Sequence, residues 1–195
     1  AAGTITAQRQ LTGSTGVSRH CLRLARTAGT YAGSLLAEQV FETDNVLDLA
    51  GQGCYLVLQA RKGASFTGAG LRVQIFSGTG IDESLASFQA GTWTGLNTMV
   101  DVLTSAGSMG VSFGQIAVQF TPNSTATQIG IRISADTFSG GGGANDYLEF
   151  TDVQVIRASA PLQFERRPLE IEQALCERYC EKSYSEGVAL GTVTT

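Results

Sequence analysis

Apolar and polar residues alternate along most of the first 160 positions of the chain. The alternation is clearest in QIGIRIS, where Ile129, Ile131 and Ile133 share one side and smaller or polar residues occupy the other. The segments CYLVLQARKG, LRVQIFSG and GQIAVQF repeat this pattern. A period of two residues is that of a β-strand with one buried face. Together with the segments ITAQRQL, HCLRLART, SLLAEQVF, NTMVDVLTS and YLEFTDVQVIRA, the pattern predicts about nine strands.

The last of these segments, YLEFTDVQVIRA, changes phase in its middle. Leu148 and Phe150 occupy one phase of the alternation, and Val153 and Val155 occupy the other. An extra residue in one strand of a pair shifts the alternation in this way. The phase change therefore predicts a β-bulge near residues 151–152.

Glycine-rich segments separate the predicted strands. The chain has 24 glycines, many of them in GASFTGAG, SGTG, SAGSMG and SGGGGAND, where chain reversals need the backbone freedom of glycine. Short strands joined by such turns, with no helical segment between them, indicate an antiparallel sandwich and not a parallel α/β sheet. We therefore predict an all-β fold, in which residues 1–160 form an antiparallel β-sandwich of the jelly-roll type.

Residues 161–184 follow a different pattern, that of a connecting segment and one short amphipathic α-helix. Pro168 suits the first helical turn, Glu170 favours the amino-terminal end, and Gly187 can end the helix. On a helical wheel the apolar half comprises Leu169, Ile171, Leu175, Cys176, Tyr179 and Cys180. A helix of about 16 residues is marginal alone in water, so this half must pack on the sandwich or on neighbouring subunits.

Composition and charge narrow the range of functions. The chain has 195 residues, 15% of them charged, and a formal net charge of −4. These values suit one folded domain with a full core and argue against an electrostatic nucleic-acid binder. The longest apolar runs, such as CYLVL, are too short to span a bilayer, so we expect no membrane insertion.

The four cysteines do not form a metal-binding pattern. Cys21, Cys54, Cys176 and Cys180 match no zinc spacing, and the single histidine, His20, neighbours only one of them. We expect free, partly buried thiols, which fit folding in a reducing cytoplasm.

The sequence lacks the usual signs of catalysis. His20 falls within the strand pattern RHCLRL, and no serine lies in a nucleophile-elbow context. Two carboxylate pairs, Asp82 with Glu83 and Asp146 with Glu149, leave glycoside hydrolysis as an alternative. Such acids are more often solvated on the surface, so we expect a protein that is not an enzyme.

Exposed aromatic residues are the candidates for sugar binding, because sugar rings stack on them. Trp93, the only tryptophan, lies in the loop AGTWTG, and Tyr31 lies in the similar loop AGTYAG. Two alternatives remain open for Trp93: exposure as a ligand-binding ring, or folding back to close the edge of the sandwich.

A structural calcium ion is a further possibility, although we expect no other cofactor. The segment ETDNVLD offers oxygen atoms from Asp44, Asn45 and Asp48. Calcium prefers such ligands, but this spacing is not that of an EF-hand loop.

Two parts of the chain resemble a known family. The first is GQGCYLVLQARK followed by GASFTGAGLRVQIFSGTGIDES, and the second is the end of the last strand with FERRP at 164–168 and ALCERYCEKSY at 174–184. Over most of its length the chain resembles a jelly-roll module of tail-fibre and related structural proteins of tailed bacteriophages and prophages. Glu177 and Cys180 depart from the family, which usually has a glutamine and an aromatic residue at these positions.

This resemblance implies a role in a virion appendage. It suggests a structural or adhesin module of a tail fibre, assembled in the bacterial host cytoplasm as a homotrimer with other virion proteins, and binding a host surface glycan. The helix would anchor one β-domain to the next near a three-fold axis, and residues 185–195 would form a linker toward a missing downstream domain. The alternatives are a cell-surface glycan-binding module and a head fibre or decoration protein of the capsid.

Overall fold

The computed structural model describes residues 5–26, 33–138, 142–165 and 171. The strands in these residues are β1 Ile5–Leu11, β2 His20–Arg26, β3 Leu35–Phe41, β4 Cys54–Lys62, β5 Gly68–Gly78, β6 Asn97–Ser105, β7 Gly114–Phe120, β8 Gln128–Phe138 and β9 Tyr147–Arg157. The helices are α1 Thr43–Val46 and α2 Leu85–Gln89, with a 3₁₀ turn at Ala106–Ser108. The chain divides into two compact units, residues 1–164 and residues 165–195, and all of these elements belong to the first.

The strands of the first unit form two antiparallel sheets. The five-stranded sheet has the order β1-β2-β9-β4-β7, and the four-stranded sheet has the order β3-β8-β5-β6. Every neighbouring pair is antiparallel. The predicted all-β sandwich is therefore confirmed.

The core lies between the two sheets and consists of the alternating residues that the sequence pattern indicated. Leu56 and Leu58 of β4 and Ile129 and Ile131 of β8 are at most 3% exposed and belong to one apolar cluster. The residues between them face outward, as the pleat of a strand requires. Each sheet therefore has an outer face on which polar residues are held at fixed spacing.

The predicted bulge in β9 is confirmed. Thr151 pairs with Gln59, whereas Gln154 pairs with Val57, so two residues of β9 lie opposite one residue of β4. Asp152, inside the bulge, has a φ of 53°, a left-handed conformation that bulges accommodate. Because of this extra residue, Glu149 faces outward while Val155 packs on the core.

One end of the four-stranded sheet is covered by α2 and its flanking loop. Phe88 of α2, Phe76 of β5 and Trp93 form a second apolar cluster outside the main core. We expected no helix between the strands, and the structure corrects this with two, of four and five residues. Helices this short have too few residues to show a helical period. Among the described residues no helix is long and apolar enough to cross a membrane.

Candidate functional site

An open groove lies on the outer face of the five-stranded sheet. Its volume is about 510 Å³, and it is lined by residues 13–17 of the β1–β2 loop, by Gln59 of β4, and by Ser112 and Phe113, which precede β7. Gln59 lies between two core residues of β4, Leu58 and Ala60, so its side chain faces away from the core. The groove thus has a polar strand residue beneath it and a loop on either side.

Hydrogen bonds hold the β1–β2 loop in place over the sheet. The backbone N–H of Thr12 donates to the carbonyl of Arg19 at 3.0 Å, and the Thr12 hydroxyl donates to the carbonyl of Ser18 at 2.9 Å. The N–H of Ser18 donates to Oδ2 of Asp152 at 3.1 Å, and its hydroxyl donates to Oδ1 of the same carboxylate. The bulge residue of β9 therefore fixes one wall of the groove.

Beside the groove, a buried carboxylate binds two arginines across three strands. Glu149 of β9 is fully buried although it faces outward, because Arg23 of β2 and Arg61 of β4 cover it. Arg23 reaches Oε1 with Nε at 2.7 Å and Nη2 at 2.6 Å. Nε of Arg61 donates to Oε2 at 2.5 Å. Charge-assisted bonds of this kind are strong and directional, so Glu149 fixes both guanidinium groups.

Each of these guanidinium groups lies over an aromatic ring. The guanidinium of Arg23 is 3.9 Å from the ring centre of Tyr147, and that of Arg61 is 4.4 Å from the ring centre of Phe113. Cation–π attraction favours this arrangement. Glu149 therefore positions two partly exposed rings indirectly, and one of them, Phe113, lines the groove.

The site offers several kinds of contact to a polar ligand. Within the described part of the chain, the two terminal amino groups of Arg61 make no hydrogen bond, since only its Nε binds Glu149. The guanidinium groups of Arg23 and Arg61 and the single carboxylate of Glu149 form a row across the sheet, the row Arg23–Glu149–Arg61. This row carries a net positive charge. Together with the Gln59 amide, the Ser112 hydroxyl and the ring of Phe113, these groups provide donors, acceptors and an apolar surface.

A buried thiol, that of Cys21, lies on the same face. Burial, and then the negative charge of Glu149, raise the pKa of Cys21 to about 11, so the thiol stays protonated at neutral pH. Burial also raises the pKa of the Cys54 thiol. Both cysteines are free and buried, as predicted, whereas Cys176 and Cys180 lie outside the described residues.

Trp93, a candidate sugar-binding residue, is buried in the structure. Its side chain is 4% exposed, its ring centre lies 4.8 Å from that of Phe88, and its Nε1 donates to the carbonyl of Ser84 at 3.2 Å. The ring folds back on the sheet, which is the second of the two alternatives, because burial against Phe88 and Phe76 removes its apolar surface from water. Tyr31 lies outside the described residues.

The candidate calcium ligands lie together on the surface. Asp44 and Asn45 are in α1, Asp48 is in the turn that follows, and all three are exposed. In the described ranges no group of three or more His, Cys, Asp or Glu residues is arranged to hold a metal ion. A calcium ion on these three residues stays a prediction.

Most of the predicted helix residues fall outside the described part of the chain. These are Leu169, Leu175, Cys176, Tyr179 and Cys180. Ile171 is described, is helical and is 50% exposed. The anchoring role of this helix stays a prediction.

The carboxylates that might have served a hydrolase bind the protein's own donors. Asp146 binds Arg26, Glu149 binds Arg23 and Arg61, and Glu83 accepts from the backbone of Thr94. Oδ1 of Asp82 accepts from the backbone N–H of Thr43 at 2.9 Å. Each of these carboxylates therefore takes part in contacts within the fold.

Sequence reasoning missed the residues that shape the groove. Arg23 and Glu149 are 126 positions apart, and their pairing depends on strand order, which alternation does not reveal. The available signal was a charged residue at an outward position between two core residues, such as Glu149 between Leu148 and Phe150.

Comparisons with known proteins concern the fold. No sequence-family model and no curated protein matches the chain. A solved structure of carbohydrate-binding modules from the β-sandwich superfamily is similar, with a TM-score of 0.51 and 10% identity over 80% of this chain and 54% of that one. Our chain thus spans about half the length of that structure.

Two further structures are similar at lower TM-scores. One is the C-terminal family 22 carbohydrate-binding module of Clostridium thermocellum Xyn10B, at 0.47 and 10% identity over 83% of this chain and 88% of that one. The other is tailspike protein 4 of Bacteriophage CBA120, at 0.45 and 10% identity over 79% of this chain and 18% of that one. The match at 0.51 shows that the chain shares the β-sandwich fold of that structure.

Proposed function

We propose that the chain is a non-catalytic glycan-binding module that holds its ligand in the groove on the five-stranded sheet. The observation that carries this proposal is the row Arg23–Glu149–Arg61, in which Arg61 lies over Phe113, a lining residue of an open groove of about 510 Å³. A fully buried carboxylate on an outward-facing position is costly unless it is paired. Here the pairing holds the Phe113 ring and the terminal amino groups of Arg61 at the edge of a binding surface.

A glycan suits the chemistry of this groove. Sugar hydroxyls both donate and accept hydrogen bonds, and the groove offers amide, hydroxyl and guanidinium groups. The C–H faces of sugar rings pack on aromatic side chains, and Phe113 lines the groove. The fold shared with a structure of carbohydrate-binding modules supports the same function by analogy alone.

A glycan array probed with the full chain tests this proposal. We expect saturable binding, which Phe113→Ala weakens about tenfold, since a loss of about 1.4 kcal/mol of ring contact corresponds to that factor. Val102→Ala is the control, because it removes an exposed apolar side chain from the other sheet. A wild-type chain that binds no glycan on the array contradicts the proposal.

We further propose that this module belongs to a phage virion appendage, where glycan binding would attach the particle to its host. The support is the sequence resemblance, above all at 164–168 and 174–184. In this proposal the chain assembles as a homotrimer with other virion proteins in the host cytoplasm. A head fibre or capsid decoration is the alternative location.

Immunogold electron microscopy distinguishes these locations. Antibodies to the chain would be applied to phage particles of the source organism or of its induced prophage. Label on a tail fibre or tail tip supports the appendage, and label on the head supports the decoration. Absence of label from every particle contradicts the virion assignment but leaves glycan binding intact.

A further inference from the structure

A second groove lies on the opposite side of the molecule, across the outer face of the four-stranded sheet. Its volume is about 390 Å³. The residues that matter below are Arg72 and Gln74 of β5, Asp101 of β6, and Arg132, Ser134 and Asp136 of β8. None of them lines the groove on the five-stranded sheet.

An ion-pair network crosses this groove. Arg72 donates from Nε at 3.1 Å and from Nη2 at 2.7 Å to Oδ2 of Asp136. Its Nη1 donates to Oδ1 of Asp101 at 2.7 Å. Nε2 of Gln74 donates to the other oxygen of Asp101 at 3.0 Å. Arg72 therefore joins strands β5, β6 and β8 through one guanidinium group.

Several polar atoms of the groove have no hydrogen-bond partner among the described residues. Ser134 lies between Leu36 of β3 and Arg72 of β5 and is 4% exposed, yet in the described ranges its hydroxyl makes no hydrogen bond. Arg132 uses Nε to bind Glu38 at 2.6 Å. Its terminal amino groups and Oε1 of Gln74 have no hydrogen-bond partner among the described residues.

Ser134 is almost enclosed by its neighbours, and enclosed polar groups are normally paired. Its hydroxyl oxygen is not among the fully buried oxygens that lack a partner in the described residues, which are those of Thr43 and Ser77, so it is open to the groove. Ser134 lines the groove, so a molecule bound there would supply the missing partner. Arg132 offers donors, Gln74 offers an acceptor, and the serine hydroxyl can do both. This combination matches the hydroxyl groups of a sugar.

The charges of the groove decide between ligand classes. Three carboxylates, of Glu38, Asp101 and Asp136, face two guanidiniums, so the groove carries one net negative charge. An anionic ligand is therefore disfavoured. Leu36, 48% exposed at the edge of the groove, adds an apolar contact for a sugar ring.

We propose that this groove is a second saccharide site, which binds a neutral hydroxylated sugar residue through Ser134, Arg132 and Gln74. The site is independent of the groove on the five-stranded sheet because the two share no lining residue. The two outer faces of a sandwich point in opposite directions, so one module would bind two glycan chains at once.

A variant that removes the unpaired hydroxyl gives the sharpest test. The full chain would be titrated with neutral hexasaccharides of xylose, mannose, glucose and galactose and followed by NMR. For at least one sugar we expect saturable changes in the chemical shifts of the backbone amides of Arg132, Ser134 and Gln74. Ser134→Ala should weaken this binding at least fivefold. Its melting temperature should not fall, because the hydroxyl has no protein partner to lose.

Phe113→Ala serves as the matched control, since it alters only the groove on the five-stranded sheet. It should leave the shifts on the four-stranded sheet unchanged. The proposal is overturned if no hexasaccharide shifts these amides, if Ser134→Ala binds as the wild type does, or if Phe113→Ala abolishes the shifts on both sheets. If the wild-type chain binds sugar only on the four-stranded sheet, the glycan-binding function proposed for the groove on the five-stranded sheet is contradicted, and the second saccharide site is supported.

Discussion

At the scale of single residues, buried carboxylates paired with arginine join segments that are distant in the chain. Asp146 and Arg26 are both buried, and Arg26 donates to Oδ2 from Nε at 3.0 Å and from Nη2 at 2.7 Å. The backbone N–H of Thr67 donates to Oδ1 of the same carboxylate at 3.0 Å. One side chain thus connects the end of β2, the segment before β5 and the segment before β9.

The Asp146→Asn substitution should be strongly destabilising. It would remove the negative charge that the buried guanidinium of Arg26 binds at 2.7 Å, and we expect the free energy of unfolding to fall by about 3 to 5 kcal/mol. Urea denaturation monitored by circular dichroism measures this loss. Asp101→Asn is the control, because its ion pair with Arg72 is exposed and should contribute about 1 kcal/mol or less. Equal losses of unfolding free energy in the two variants would contradict the role of Asp146 as a buried charge partner of Arg26.

At the scale of elements, α2 depends on a glycine in the strand beneath it. A Cβ atom at Gly130 of β8 would lie 2.5 Å from the ring of Phe88. That ring is confined between Phe76, at 5.2 Å between ring centres, and Trp93, at 4.8 Å. The helix therefore packs at a distance that only glycine permits.

The Gly130→Ala substitution should loosen this end of the sheet. We expect a loss of about 1 to 3 kcal/mol in the free energy of unfolding, which is typical of overpacking, and a rise in the exposure of Trp93. Thermal melting and tryptophan fluorescence measure these changes. Gly114→Ala in β7 is the matched control, since a Cβ there meets no atom within 4 Å. Exposure of Trp93 to water should shift its fluorescence emission to longer wavelength in Gly130→Ala. An equal shift in Gly114→Ala would argue against the packing explanation.

The elements also show what the sequence could predict and what it could not. The alternation in QIGIRIS and the phase change near Asp152 are local, and both predictions are confirmed. The order of the strands is not local, so the contact between Arg23 and Glu149 was missed. Trp93 lies in a glycine-flanked loop whose local pattern does not distinguish exposure from packing on a distant strand.

At the scale of the whole molecule, the sandwich of the first unit has two outer faces with different charge. The row Arg23–Glu149–Arg61 carries one net positive charge, and the groove around Arg72 and Arg132 carries one net negative charge. The total charge of −4 conceals this difference. The two faces should therefore prefer different ligands.

Oligomerisation is also a question at this scale. If the carboxy-terminal helix anchors subunits, as the sequence predicts, a chain ending at Phe164 should be monomeric, whereas the full chain should be a trimer. Residues 1–164 form a compact unit, so the shorter chain should keep the melting behaviour of a folded sandwich. Light scattering coupled to size-exclusion chromatography measures the molar mass. A trimer of the shortened chain would contradict the anchoring role.

The bulge at Asp152 shifts the alternation of β9 by one residue, so every side chain after it faces the opposite side from the one its position would otherwise give it. Upstream of it, odd-numbered positions such as Glu149 face the ligand side; downstream, Val155 faces the core. Substitutions near the bulge change one side chain, but a deletion of one residue would exchange inside and outside for the rest of the strand. Across related chains, or in a library of variants, this segment should therefore vary in its residues and hold its length.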